Sequence, residues 1–405
     1  MISDLTPEAF LDALSKGKGR TALALQNSDP TLYTDALLQG CVENLQFDRQ
    51  LEADRVEYVL QLLALASLTE QAREVILKTL PNTEEGWDFD WMIDLLEGLA
   101  LRGDAVARRA LMDLSMQGDE RAQNALAIVD DEGLQWVEQN VLPNLSPDDR
   151  WRIVLWLPDE EADDKTPSQR RLRALDKQND AEREALRLSK PHPKPTAKPF
   201  LRALRRKELP LSCRFDFQQS ANVREWRIAA RLFLRETDHS RAWRIARTFQ
   251  RRRFPLPVKN LFRHAFHPER GGAAMEILGT FDTPAVRRFA LSLLRHRPLP
   301  WNAISALTSS LRLGDEPILL KALRSTEHTS RVDRHSPILD VVHFLREHPK
   351  GRWQPHAEWI YEHSPCSLCR ASAVDWMVEH GTVPAYIREE GPYDAEPDIR
   401  EAVGI

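Results

Sequence analysis

The chain has 405 residues, of which 42% are hydrophobic and 29% are charged, as in an ordinary globular protein. The longest apolar stretch, Val59 to Leu68, is too short to span a bilayer, and four cysteines do not make a disulfide framework. The first residues contain no basic region and no apolar run, so we expect a cytoplasmic location and no membrane association.

The net charge of −5 conceals a segregation of charge along the chain. Residues 1–164 carry about −20, residues 165–264 about +18 and the remainder about −3. An overall pI of about 6.2 argues against a protein that coats nucleic acid nonspecifically, because such proteins are basic throughout. The basic centre instead predicts a local acidic partner, either inside or outside the molecule.

The first region, residues 1–158, is predicted to consist of helices joined by short turns. Thr6-Pro7-Glu8 has the capping residue, the proline and the early acid of a helix start. The turns Gly103-Asp104 and Gly118-Asp119 each begin a further helix, and apolar residues between the turns recur at helical spacing. No alternating pattern in the chain is long enough to indicate a sheet, so the predicted fold class is all-α.

The composition changes between residues 159 and 200. The acidic run Asp159 to Asp164 precedes a mostly charged helix, and residues 191–199 contain four prolines. A segment this rich in proline favours an extended, semi-rigid connector. We therefore predict that residues 159–200 link the acidic N-terminal region to a second helical region, residues 201–405, whose first helices are basic.

A helix-start pattern recurs along the chain as a turn, an apolar residue, an arginine, two free positions and another apolar residue. Its arginines are Arg73, Arg108, Arg287, Arg370 and Arg400. The pattern resembles HEAT or armadillo-like repeats, which have a period of about 40 residues, and uncharacterised bacterial HEAT-like proteins in particular. The resemblance implies an α-solenoid, and the proline-rich connector divides it into two parts. It also implies that these arginines are structural and bond to an acidic turn residue near the preceding helix.

The resemblance implies a protein-binding scaffold in most cases and a DNA-binding protein in a minority, which includes HEAT-like alkylpurine glycosylases. No residue of the chain matches the glycosylases, so no catalytic residue is predicted. We expect a non-enzymatic adaptor that engages a macromolecular partner, with no cofactor. A protein is the expected partner and a small molecule is not. The alternative is a nucleic-acid-binding protein, related to DNA repair, that uses its central arginines.

Two rows of arginines are the candidate binding residues. Their spacing of three or four residues puts each row on one face of a helix, where like charges repel one another and favour an acidic partner. The rows are Arg224, Arg227, Arg231 and Arg235, and Arg241, Arg244, Arg247 and Arg251. A nucleic acid, an acidic partner protein, or the chain's own acidic residues would each neutralise them.

A second candidate site is His363-x-x-Cys366-x-x-Cys369, which has two thiols and an imidazole at a spacing seen in zinc sites. His356 is a candidate fourth ligand. The same cysteines stand at a predicted helix start, which is also the setting of a redox-active pair. The simplest alternative is that both cysteines pack in the core. Tryptophans such as Trp87 would mark a partner site if they were exposed in a groove.

Overall fold

The structure is a computed structural model. It describes residues 5–49, 52, 55–129, 131–142, 196–206, 214–249, 254–267, 271–295, 303–327 and 329–404. Every regular element in these ranges is a helix, which confirms the predicted all-α class. Within the same ranges, no helix is both long enough and apolar enough to cross a bilayer. The predicted connector lies almost entirely outside the described residues.

Contacts divide the chain into two compact units. The first comprises Met1–Pro191 and Val383–Ile405. Its helices are α1 (Pro7–Lys16), α2 (Arg20–Asn27), α3 (Thr34–Val42), α4 (Arg55–Leu65), α5 (Thr69–Thr79), α6 (Trp87–Leu101), α7 (Ala105–Met116), α8 (Glu120–Val129), α9 (Asp131–Asn140), α21 (Ala385–Glu390) and α22 (Pro397–Val403), with short 3-10 turns at Pro30–Tyr33, Leu80–Asn82 and Gly391–Tyr393.

The second unit comprises His192–Thr382. Its helices are α10 (Lys198–Arg205), α11 (Arg214–Ser220), α12 (Val223–Phe233), α13 (His239–Phe249), α14 (Lys259–His264), α15 (Gly271–Gly279), α16 (Pro284–Arg295), α17 (Glu316–Arg324), α18 (Arg331–Glu347), α19 (Gln354–His363) and α20 (Ser367–Glu379), with a 3-10 turn at Ser305–Leu307.

Most helices pack on the helix that follows them or on the next but one. In the first unit α6 contacts α7 and α8, and α8 contacts α9. In the second unit α18 contacts α19 and α20, and α19 contacts α20. Apolar residues at helical spacing provide these contacts; Leu95, Leu96 and Leu99 of α6 are all buried. Packing is therefore largely between neighbours in the sequence.

The last described residues are an exception, because they pack on the beginning of the chain. The buried carboxylate of Glu390 accepts two hydrogen bonds of 2.6 Å from the Arg20 guanidinium. The backbone N–H of Ala395 donates to the Gly17 carbonyl at 2.8 Å. Gly17 has a φ of +71°, and a Cβ there would lie 2.3 Å from the Arg55 guanidinium. The sequence assigned these C-terminal residues to region 201–405, since a contact between the two ends of a chain leaves no local signal.

Three of the five repeat arginines bond to a carboxylate that comes later in the chain. Arg73 lies 2.6 Å from Asp104, in the turn before α7, and Arg287 lies 2.6 Å from Asp315, in the turn before α17. Arg108 lies 3.0 Å from Glu132 on α9. The expected acidic partners are thus present, but they belong to following turns or helices rather than to preceding ones.

The other two repeat arginines make contacts of other kinds. Arg400 donates to the carbonyls of Asp394 and Ala395 at 2.8 and 2.9 Å. Arg370 is fully buried, with its guanidinium carbon 5.8 Å from the centre of the Tyr361 ring. All five therefore have structural contacts, of three different kinds.

Candidate functional site

Helix α12 is amphipathic, with an aromatic face and an arginine face. Asn222 caps its start by accepting hydrogen bonds from the N–H groups of Arg224 and Glu225, and the Glu225 carboxylate accepts one from the Asn222 N–H at 2.9 Å. Trp226 is buried between Phe217 and Phe249, with ring centres 4.8 and 5.4 Å away. This packing fixes which face of α12 is covered.

The opposite face of α12 and the residues just after it carry an exposed arginine row, defined as Arg224, Arg227, Arg231 and Arg235. The four side chains make no ion pair or hydrogen bond with any of the described residues. The two acids adjacent to the row in sequence are engaged elsewhere, Glu225 in the helix cap and Glu236 with Arg241. The row is therefore a concentration of positive charge with no neutralising carboxylate in the described part of the chain.

The second predicted row, on α13, is not equivalent to the first. Arg241 pairs with Glu236, with its Nε and one terminal nitrogen 3.1 and 2.9 Å from the carboxylate oxygens. Partial burial raises the pKa of Glu236, but hydrogen bonds from Arg241 and from two backbone N–H groups outweigh burial, so the pKa is lowered. Arg244 is half-buried, Arg247 is exposed, and Arg251 lies outside the described residues. Of the three described arginines, only Arg247 faces solvent freely.

In the structure, the two cysteines of the second candidate site lie next to a histidine that the sequence did not indicate as a ligand. Cys366 is the residue before α20 and Cys369 is in its first turn, so their side chains lie on one side of the helix start. His335 of α18 approaches them, with its Nε2 3.5 Å from the Cys369 Sγ. The two Sγ atoms and a ring nitrogen of His335 all lie within 4.8 Å of one another.

The histidines that the sequence offered have other contacts. His363 stacks on Trp359, its Nδ1 lies 2.9 Å from the Trp359 carbonyl, and its Nε2 lies 3.5 Å from Glu327. The His356 ring nitrogen Nε2 bonds to the Glu316 carbonyl at 2.8 Å, and burial lowers the pKa of His356 to about 4. The candidate ligand set is corrected to His335, Cys366 and Cys369, because α18 and α20 pack side by side.

The two thiols influence each other strongly. The Cys369 side chain lowers the pKa of Cys366 against the effect of burial, and His335 adds to the lowering. Cys366 and burial together raise the pKa of Cys369 well above its ordinary value. Both cysteines are buried, so ionisation of one thiol opposes ionisation of the other.

A cleft of about 700 Å³ in the first unit is a third candidate site, and sequence reasoning found only part of it. Trp87 and Trp91 both line it, but Trp87 is 46% exposed, whereas Trp91 is 4% exposed and also packs in the core. Glu97 also lines the cleft, and burial together with the Asp94 charge raises the pKa of Glu97 to about 7 against the effect of Arg121. Glu97 lies in an apolar helix sequence that gives no sign of this environment.

The chain matches no protein-family model, no curated protein and no solved structure. The three sites therefore have to be interpreted from their own chemistry. The arginine row can bind anions, the Cys366–Cys369–His335 group can bind a soft metal ion, and the cleft of Trp87 and Glu97 can hold a small polar group.

Proposed function

We propose that this protein is a non-enzymatic binding scaffold built from HEAT-like helical repeats, and that its arginine row engages an anionic macromolecule. The observation that carries the proposal is the row of four exposed guanidinium groups on and just after α12 without a carboxylate partner in the described chain. A rigid helix that concentrates like charge is stabilised when an anionic partner binds.

The repeat architecture is supported by packing between sequence neighbours and by the arginine pairs. The partners in Arg73–Asp104 and Arg287–Asp315 are separated by 31 and 28 residues. Each pair joins one helix to the turn that begins a later one. This is the arrangement expected when a helical unit stacks on its neighbour, and stacked helices offer extended surfaces to a partner.

A polynucleotide is the anionic partner that the row fits best. Arg224 and Arg231 are separated by about 10 Å along the helix axis, given a rise of about 1.5 Å per residue, so several phosphates of one strand are within reach. A guanidinium group binds a phosphate through two parallel hydrogen bonds, which an ammonium group cannot do. All four residues of the row are arginine rather than lysine.

The test is equilibrium binding of the full chain to labelled single-stranded DNA, single-stranded RNA, duplex DNA and polyglutamate of matched length. The row variant carries Arg224→Gln, Arg227→Gln, Arg231→Gln and Arg235→Gln. Glutamine keeps the helix propensity while it removes the charge. A matched control removes the same charge from exposed residues of α16 and α17, through Arg288→Gln, Arg295→Gln, Lys321→Gln and Arg324→Gln.

We expect at least one probe to bind at low salt, the row variant to bind it about tenfold more weakly or worse, and the control to bind almost as well as the wild type. Stronger binding of polyglutamate than of any oligonucleotide would replace the polynucleotide with an acidic protein. Absence of binding to all four probes, or equal losses in the row variant and the control, would overturn the role of the row.

A further inference from the structure

The group formed by His335, Cys366 and Cys369 joins two helices that are separate in the sequence. His335 lies on α18, whereas both cysteines lie at the start of α20. The cysteines are 5% and 3% exposed, and His335 is half-buried at the edge of the group. Two thiols and an imidazole within 4.8 Å of one another make up the donor set of a soft metal site.

The backbone around the cysteines is held before any metal binds. The buried Ser364 hydroxyl accepts a hydrogen bond from the Cys366 N–H at 3.2 Å and donates one to the Cys366 carbonyl at 3.1 Å. This pair of bonds fixes the turn that leads into α20. Cys369 then follows within one helical turn, so both sulfur atoms face the same side.

The first turn of α18 is held in a similar way. Ser330 caps the helix by accepting the Asp333 N–H at 3.1 Å. Arg334, next to His335, donates to the carbonyls of Thr326 and Thr329 at 3.2 and 3.1 Å. The imidazole is therefore presented by a helix start whose position is fixed by its own contacts. Side chains on rigid elements can bind a metal with little reorganisation.

We propose that Cys366, Cys369 and His335 bind one zinc ion through two thiolates and one imidazole, with the fourth coordination position open to water or an external ligand. Zinc bonds of about 2.3 Å to sulfur and about 2.0 Å to nitrogen require the two sulfur atoms to lie about 3.8 Å apart and each sulfur to lie about 3.5 Å from the nitrogen. The move from within 4.8 Å is small enough for changes in side-chain torsion alone.

The charge balance favours zinc over a harder ion. Zinc binding displaces the thiol protons to solvent, and two thiolates, one neutral imidazole and Zn²⁺ form a neutral complex, which suits a largely buried site. Calcium and magnesium prefer oxygen ligands, and none of the three donors is oxygen. The sequence alone led us to expect no cofactor. In the structure, the histidine nearest to the cysteines in sequence, His363, bonds elsewhere.

The test is zinc binding to the reduced, metal-free chain, measured by competition with a chromophoric chelator. We expect one high-affinity zinc per chain, and Co²⁺ in its place should give the absorption of a tetrahedral thiolate complex. Cys366→Ser, Cys369→Ser and His335→Ala should each weaken zinc binding by about 100-fold or more, because each removes a direct ligand. Two control variants should retain zinc affinity. They are His343→Ala, which changes an exposed residue of the same helix α18, and His363→Ala.

Thermal unfolding of the metal-free variants separates loss of a ligand from loss of the fold. If either serine variant fails to fold, His335→Ala carries the test, since that side chain is only half-buried. Absence of stoichiometric zinc in the reduced wild type would overturn the proposal, and so would a loss of affinity in His363→Ala as large as that in His335→Ala. A chain that forms a Cys366–Cys369 disulfide with an added oxidant but binds no zinc when reduced would also overturn it.

Discussion

Asp104 makes two kinds of contact, and replacing it with alanine should remove both. Its carboxylate caps α7 by accepting the N–H groups of Val106 and Ala107 at 2.9 and 3.0 Å, and it pairs with Arg73 at 2.6 Å. Loss of a helix cap costs about 1 kcal/mol. Loss of a charge-assisted hydrogen bond between mostly buried side chains costs about 2 kcal/mol. We therefore expect Asp104→Ala to destabilise the first unit by about 3 kcal/mol.

The assay is urea unfolding followed by far-ultraviolet circular dichroism, combined with a double-mutant cycle. Asp104→Asn keeps an amide oxygen for the cap and loses the charge, so it should cost about half as much as Asp104→Ala. Arg73→Gln combined with Asp104→Asn should be less destabilising than the sum of the two single changes, by about 1 kcal/mol. Strict additivity, or an Asp104→Ala midpoint equal to that of the wild type, would refute the reasoning.

Two further predictions concern carboxylates, one half-buried and one fully buried. The pKa of Glu97 is raised to about 7 from 4.5, so its protonated form stabilises the fold below about pH 4.5 and that stability is lost as the pH rises through 7. Relative to the wild type, the free energy of unfolding of Glu97→Gln in urea should therefore rise by about 2 kcal/mol between pH 5 and pH 8. A difference between the two proteins that does not change with pH would contradict the assignment. Glu390→Gln removes the buried carboxylate that pairs with Arg20, so it should lower the free energy of unfolding by about 3 kcal/mol. Hydrogen exchange in residues 383–404 should become faster, and unchanged exchange there would argue against the contact.

The helices could be predicted because their signals are local. Thr6 caps α1 with its hydroxyl, and Gly103-Asp104 provides the turn and the cap before α7, as the sequence indicates. The arginine row on α12 was equally predictable, since Trp226 and Phe233 fix the buried side by helical spacing alone. Each of these features depends on residues within a few positions of one another.

The contacts that the sequence missed join residues that are distant in the chain. Glu390 reaches Arg20 across 370 residues, and His335 reaches Cys369 across 34. Neither histidine near the cysteines in sequence could be excluded as a ligand without knowing which helices pack together.

The most direct test of the proposed function is the salt dependence of the association constant for the tightest-binding oligonucleotide, whether duplex DNA or a single strand. The logarithm of the association constant should fall linearly with the logarithm of the salt concentration. The slope should be shallower by about 1.5 for a variant with Arg227→Gln and Arg231→Gln than for the wild type, since each phosphate contact contributes about 0.7 to 0.9. Equal slopes in the two proteins would mean that the arginine row does not contact the partner, and would contradict the account.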